Sequence, residues 1–332
     1  MNSIRSLVTG GAGFIGSHVA RHCLEIGHEV VVLDDLSSGV REQVPADAVF
    51  VEGSVTDATR VTRLFHEHRF DYVYHLAAFT PGGLSHFARR HTYQHNVIGS
   101  ANLINEAIRH DVRCLVFTSS IAVYGTGDGP MREDMAPRPE DPCAIAKYAV
   151  ELDLRAAHEQ FGLSSVIFRP HNVYGEHQNL GDRYRDVAGM FINQSLRGKP
   201  LTIVGDGTQT RAFSYVGDVA PRIARSVDVT DAYGQVINIG ADAARSVNEL
   251  AAAVGAAFGV QPAIEFLPAM QEAASVFASH DKARRLFGPA AYVELEEGIE
   301  RTARWAERGG PRAGKRFEAI EVTRNLPPSW RA

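Results

Sequence analysis

Three groups of residues in this chain have types and spacings that could do chemistry. The first is Thr9-Gly10-Gly11-Ala12-Gly13-Phe14-Ile15-Gly16. Gly11, Gly13 and Gly16 are spaced so that a backbone bare of side chains can approach a pyrophosphate at the start of a helix. There, unpaired N–H groups and the helix dipole favour negative charge. The second group is Asp34 with Asp35, about twenty residues further on, where a carboxylate can accept hydrogen bonds from an adenosine ribose. Two carboxylates with no arginine beside them would repel a 2′-phosphate, so NAD is expected rather than NADP. The third group is Cys143 with Lys147, four residues apart and so on one face of a helix. A thiol titrates near about 8.5, and a neighbouring ammonium lowers that further, which suits the pair to acid–base work.

The elements that must position these groups can be read from the pattern of apolar residues. Strands are expected at Ile4–Thr9, Glu29–Leu33, Ala48–Glu52, Tyr72–Leu76, Cys114–Ser119 and Ser165–Arg169. Helices are expected at Phe14–Gly27, Ala58–His68, Thr92–His110 and Ala144–Phe161. Near-continuous apolar strands separated by helical crossovers imply a parallel sheet covered on both faces, an α/β doubly wound (Rossmann-type) fold. After Gly175 the rhythm changes to a polar loop at 177–185, a helix at Val187–Arg197 and a strand at Leu201–Val204. The expected organisation is a dinucleotide-binding domain over 1–175 with a return near 213–240. A smaller α/β substrate-binding region follows over 176–308, then a loosely packed tail over 309–332.

Composition narrows the function classes. The chain has 332 residues, 45% of them apolar and 22% charged, with a net charge of −5. That sign argues against nucleic acid or an anionic membrane as a bulk partner. Cys23, Cys114 and Cys143 are an odd number at no metal-ligand spacing, so neither a disulfide framework nor a metal site is expected. No apolar run approaches the ~18 residues of a membrane span. A cytoplasmic protein is expected.

Longer motifs identify a family. TGGAGFIGSH at 9–18, DYVYHLAA at 71–78, FTSSIAVYG at 117–125, RPHNVYG at 169–175 and GDGTQTRAFSYVGDVA at 205–220 follow one another in order. The chain resembles the extended short-chain dehydrogenases, and among them the nucleotide-sugar epimerases and dehydratases. The resemblance implies that Gly10, Gly13, Phe14, Ile15 and Gly16 hold the pyrophosphate of NAD. It puts Asp34 on the adenosine ribose, with Asp35, Ser37 and Ser38 close by. Ser54 and Val55 would line the adenine, although the family usually has Asp where Ser54 stands. Leu76, Ala77 and Ala78 would pass beneath the cofactor, and Lys147 would bond the nicotinamide ribose. Asn172, Val187, Thr202, Val204 and Arg211 would meet a nucleotide diphosphate, a task that suits the fork of an arginine. The resemblance also implies a homodimer built on the helices at 92–110 and 144–161.

Three departures from the family bear on the chemistry. Its members use a Ser/Thr, Tyr, Lys set, and Ser120 and Lys147 are in place, but Cys143 stands where the tyrosine belongs. A cysteine reaches roughly 4 Å less far than a tyrosine. Cys143 is therefore read as an acid–base group near C5 and C6 of the sugar, as a bystander, or as the mark of a lost activity. Ser120 is read as the group that meets the sugar 4-hydroxyl. Family 4,6-dehydratases carry Thr-Asp-Glu where this chain has Ser120-Ile121-Ala122. Leu-Pro-Ala-Met-Gln-Glu-Ala, with Met270, occupies the stretch where the family often has a diphosphate-binding arginine. What remains is similar to the 5,6-dehydratase that acts on UDP-N-acetylglucosamine in the tunicamycin pathway. Its reaction is transient oxidation at C4, loss of the C5 proton and the 6-hydroxyl, then return of hydride. A UDP-sugar 4-epimerase and a non-catalytic regulator that binds NAD or a sugar nucleotide are the alternatives. Thr80, Tyr124 and His171 are expected beside the sugar, with Tyr174 either there or in the core. His75, Cys23 and Cys114 are expected to be structural, and Asn96 to bond backbone near the site.

Overall fold

The computed structural model describes residues 3–127, 129–182, 184, 187–268, 275–289, 291–314, 317–327 and 330. The first half contains β1 (Arg5–Thr9), α1 (Phe14–Glu25), β2 (Glu29–Asp34), β3 (Val49–Glu52), α2 (Ala58–His68) and β4 (Tyr72–His75). It continues through the short helices α3 (Gly82–Ser85) and α4 (Arg89–Tyr93) to α5 (Gly99–Arg109), β5 (Cys114–Thr118), α6 (Pro142–Phe161) and β6 (Ser165–Pro170). Then come β7 (Val173–Tyr174), α7 (Val187–Leu196), β8 (Leu201–Val204), β9 (Thr210–Arg211), β10 (Ser214–Tyr215), α8 (Val216–Arg225) and β11 (Val236–Ile239). The chain closes with β12 (Arg245–Ser246), α9 (Val247–Ala257), β13 (Ile264–Leu267), β14 (Ser275–Val276), α10 (Asp281–Phe287) and α11 (Leu295–Gly309).

Seven strands form one parallel sheet in the order β3-β2-β1-β4-β5-β6-β11. Successive side chains of a strand point to opposite faces, and here both faces are buried. Val8, Val30, Val32, Tyr74 and Val116 pack into the core that contains α1 and α8. Leu7, Val31, Leu33, Val73, Leu115 and Phe117 pack into the core beneath α2, α5 and α6. Burying each such side chain is worth about 1.5–3 kcal/mol, which is why these strands read as unbroken apolar runs. The order of strands reverses between β1 and β4, and there the carboxyl ends of the strands open a crevice.

Local signals set where the helices begin. Asp57 accepts the amide of Arg60 (3.0 Å) at the start of α2, and Asp141 accepts that of Ala144 (3.0 Å) before Pro142 opens α6. The helix expected at 92–110 is present and begins earlier, at Arg89, but it is not regular throughout. Between α4 and α5 lies a π-helical turn, Gln94–Ile98, which carries Asn96. The Asn96 side chain accepts from the amide of Phe79 (2.7 Å) and donates to its carbonyl (2.7 Å), bonds that sequence periodicity does not reveal.

Most described residues of the tail are exposed, as a loosely packed tail should be, but specific contacts tie it to the body. Arg312 exchanges backbone bonds with the Asn193 side chain, Glu321 accepts the amides of Arg90 and His91 at the start of α4, and Trp330 packs on Phe87 and Tyr184. No helix among the described residues is long and apolar enough to cross a membrane.

His75 closes the sheet end beside β1. Its ring lies between the hydroxyls of Thr9 and Ser100, each at 2.8 Å, and burial pushes its pKa down to about 3. An unfolded histidine titrates near about 6.5, so this group's contribution is present above that pH and is lost as pH falls toward 3. From pH 7 to pH 5 that loss is about 2 kcal/mol. His75→Gln, compared with the parent by urea unfolding at both pH values, should show about 2 kcal/mol less loss; an equal loss would refute the assignment.

Candidate functional site

A cleft of about 1150 Å³ lies along the carboxyl edge of the sheet, between the first-half domain and the α7–β8 region. At its floor, β1 passes to α1 through the glycine turn. Gly10 has φ +71°, and a Cβ there would lie 2.7 Å from the amide nitrogen of Ala77. Gly13 precedes α1 and offers no side-chain cap, so the first amides of the helix face the cleft without intrahelical partners. This is a cradle for a diphosphate.

The residues expected around the dinucleotide converge on the cleft. Gly10, Gly13, Phe14, Ile15, Gly16, Asp34, Asp35, Ser37, Ser38, Ser54, Val55, Leu76, Ala77 and Ala78 all line it. Asp34 is held by the amides of Ala12 (3.0 Å) and Leu36 (2.8 Å). Burial raises its pKa while those amides oppose the rise. A buried acceptor that lines the cleft at this position, beside an open amide cradle, fits the ribose and pyrophosphate of NAD.

Ser120, Cys143 and Lys147 come together on the same wall. Ser120 follows β5 and accepts the amide of Ala122 (3.1 Å), capping a 3₁₀ turn over Ile121–Tyr124. Cys143 and Lys147 lie one turn apart on α6. The ammonium of Lys147 donates to the carbonyl of Thr118 (2.7 Å) and sits 4.8 Å from the centre of the Phe117 ring. Burial pushes its pKa down to about 8, opposed by Cys143 and Glu151. The Cys143 thiol donates to the carbonyl of Phe79 (3.4 Å) and accepts from the Asn96 amide (3.8 Å), while its own N–H donates to Ser85 Oγ (3.2 Å). The thiol is thus held against the 79–85 segment.

Thr80 lines the cleft beside Cys143, and His171, Asn172, Val187, Thr202, Val204 and Arg211 line it further round. Asn172, which lines the cleft, has φ +41°, and its buried amide nitrogen has no hydrogen-bond partner. Gln194 of α7 donates to the hydroxyl of Thr202 (2.8 Å). Tyr124 requires correction. It lies outside the cleft lining, buried beneath Arg169, with its hydroxyl donating to Asn238 (2.9 Å). The 3₁₀ turn after Ser120 rotates it away from the sugar side. Tyr174 is likewise fully buried, near the carbonyl of Leu295. Cys23 and Cys114 are core residues whose thiols burial pushes up to about 12. The stretch around Met270 lies outside the described residues.

Other cleft residues escape sequence reasoning. Phe79, His91 and Phe317 stack together, with ring centres 4.8–5.1 Å apart, and Arg312 and His177 also line the cleft. Phe79 adjoins a quoted motif and could have been found; Phe317, in the polar tail, gives only the signal of a lone aromatic. His91 and His95 stand four residues apart, a metal-ligand spacing, but their rings stack with centres 4.1 Å apart. Among the described residues no group of three or more His, Cys, Asp or Glu could hold a metal ion.

A parallel doubly wound sheet with a diphosphate cradle at β1–α1 and a lysine behind β5 defines a dinucleotide-dependent enzyme. The NAD dependent epimerase/dehydratase family matches residues 6–240, and the chain belongs to it. NAD, expected from the glycine turn and Asp34, is the cofactor on which that family depends. The chain is 34% identical to a UDP-glucose 4-epimerase of Mycolicibacterium smegmatis, over 90% of its own length and 97% of that protein's. A UDP-glucose 4-epimerase of Thermotoga maritima, solved with UDP-glucose, superposes with a TM-score of 0.88 at 32% identity, covering 92% of this chain and 99% of that one. That of Thermus thermophilus, solved with NAD, gives 0.84 at 32% identity over 91% and 98%.

A Cβ at Gly16 would overlap the carbonyl oxygen of Gly10 and lie 2.7 Å from its carbonyl carbon. Gly16→Ala should lower stability by about 1–3 kcal/mol and weaken NAD binding at least tenfold by calorimetry. Unchanged NAD affinity would mean that the cradle is not the pyrophosphate site.

Proposed function

We propose that this protein is an NAD-dependent UDP-sugar 4-epimerase. One observation carries the reading: a single cleft joins the diphosphate cradle of α1 to Ser120 and Lys147 and, further round, to Asn172 and Arg211. The likeness to 4-epimerases over nearly the whole length supports it. The carboxylates lining the cleft, Asp34, Asp35 and Asp182, lie outside both 119–125 and 141–147, so no acid pair flanks Ser120 to expel a 6-hydroxyl.

NAD, when bound, supplies a hydride acceptor for C4 of the sugar and a donor for its return. The chain's own residues do the rest. Arg211 and the unmet Asn172 amide bind the diphosphate side. Lys147 bonds the nicotinamide ribose and favours negative charge at the sugar 4-oxygen. Ser120 meets the 4-hydroxyl and relays its proton to Lys147 in its neutral form, which holds the proton while C4 is a ketone and gives it back when hydride returns; Lys147 is anchored two residues earlier on the Thr118 carbonyl. A lysine titrating near 8 can give up and regain a proton at neutral pH. Ile98, Ile145 and Leu152, exposed on the two helices of the expected dimer face, support a homodimer as part of this reading.

A second reading rests on Cys143, which stands where the family has tyrosine. A thiolate there would remove the C5 proton made acidic by a 4-ketone. The 6-hydroxyl would then leave as water, and hydride return would give a 5,6-alkene, as in a UDP-N-acetylglucosamine 5,6-dehydratase.

Mass spectrometry and NMR after incubating UDP-glucose and UDP-N-acetylglucosamine with the enzyme and NAD separate the two. The expected product has unchanged mass, inverted C4 and no net consumption of NAD; loss of one water would replace this reading by the second. Cys143→Ala should keep turnover within about threefold, because the thiol is tied to the 79–85 segment. A fall of more than a hundredfold would place Cys143 in the chemistry, and would be expected if the enzyme dehydrates.

A further inference from the structure

A chain of titratable side chains runs from the cleft wall to solvent, outside the groups assigned above. His171 Nδ1 lies 2.9 Å from the carbonyl oxygen of Ala212, and its Nε2 lies 3.0 Å from Nε2 of His280. His280 Nδ1 lies 2.7 Å from Asp242 Oδ1. Both rings are buried and nearly parallel, with centres 5.1 Å apart and planes 23° apart. Asp242 is about half exposed and also accepts from Arg284 (2.8 Å). Gly240 crowds the pair, since a Cβ there would lie 2.6 Å from His171 Nε2.

The protons of this chain can be counted. A carbonyl and a carboxylate only accept, so His171 Nδ1 and His280 Nδ1 must both carry hydrogen. Two neutral rings would then set lone pair against lone pair at 3.0 Å. A third proton between the Nε2 atoms turns that repulsion into a charge-assisted N–H···N bond. A fourth would set two N–H groups head to head. The chain therefore closes with one cationic proton shared by two rings and balanced by Asp242.

The charged groups facing the rings are Asp242 after β11, Glu133 on the 131–135 segment, and Arg284 on α10, which Asp281 also holds. Burial pushes His171 down to about 4, which keeps the fourth proton off. Burial holds His280 below the ordinary histidine value, the hydrogen bond and charge of Asp242 offsetting it only in part, so the shared proton leaves on the acid side of neutrality.

Ala212 follows Arg211, and His171 precedes Asn172, so the chain ties together the two cleft residues assigned to the diphosphate. We propose that His171, His280 and Asp242 form a one-proton clasp that positions Arg211 for a nucleotide diphosphate, and that losing the proton loosens the grip. His280 and Asp242 are positioning residues, and the inference rests on the nucleotide-sugar reading.

The test is calorimetric titration of UDP-glucose into the NAD-loaded protein between pH 5 and 8. Parent affinity should fall at least fivefold as pH rises. Asp242→Asn should move that fall to lower pH, and His280→Gln should bind weakly at pH 5 with no such fall. In turnover the same changes should appear in KM while kcat stays within about twofold. A flat parent profile, or variants that keep the parent profile, would overturn the clasp. If the parent does not bind UDP-glucose or UDP-N-acetylglucosamine at any pH, the nucleotide-sugar reading falls and the clasp with it. Should His280→Gln fail to fold, ¹⁵N NMR of the parent histidines at pH 5 decides independently. A doubly protonated His280 beside an Nδ1–H His171 is expected, and two neutral rings would refute the proposal.

Discussion

The passage from β1 to α1 constrains the rest of the structure. Within a few residues the chain must leave a buried central strand, turn through a positive φ at Gly10 and start a helix whose first amides remain open. The turn is packed against Ala77 at the end of β4 and against Val32 of β2, so neither neighbouring strand can shift without closing the cradle. His75, wedged between Thr9 and Ser100, ties the same strand ends to α5. A diphosphate site made of backbone alone is only as rigid as the strands beneath it, which is why the core and the site form one construction here.

Helix α6 provides the second constraint. Asp141 and Pro142 set its start, and from there Cys143, Lys147 and Glu151 follow at one-turn intervals toward the ends of β5 and β6. Lys147 reaches the Thr118 carbonyl, while Glu151 takes the buried Arg169 and the Ser119 hydroxyl. The buried carboxylate–guanidinium pair holds the sheet edge on which Ser120 and His171 stand. Removing one partner of such a pair leaves an uncompensated charge, so it fixes geometry more than it adds stability. Cysteine in place of the family's tyrosine leaves this scaffold intact, since its thiol finds partners in the 79–85 segment and Asn96. The substitution changes one side chain of the cleft wall and spares the frame that positions its neighbours.

The rest of the cleft is assembled from segments far apart in the chain. Val187 and Thr202 come from the smaller region, Arg211 from the short strand β9, and Phe317 from the tail that crosses back to Phe79 and His91. Glu321 completes this by accepting the amides of Arg90 and His91.

The sheet, its parallel sense, the dinucleotide cradle and the one-turn spacing of Cys143 and Lys147 were legible in the sequence. Each is encoded locally, by apolar runs, glycine spacing and the four-residue period of a helix. The π turn at Gln94–Ile98, the burial of Tyr124 and the contacts of the tail were not. Each depends on a partner distant in the chain: Phe79 for Asn96, Asn238 and Arg169 for Tyr124, α4 and α7 for the tail. The His171–His280–Asp242 chain is the extreme case. Nothing local marks His280 as the partner of a residue 109 positions earlier. Sequence by itself determined which chemistry-bearing residues exist and which local elements carry them. Only the tertiary structure decided which of them meet, because hydrogen bonds between side chains depend on distances that no local pattern encodes.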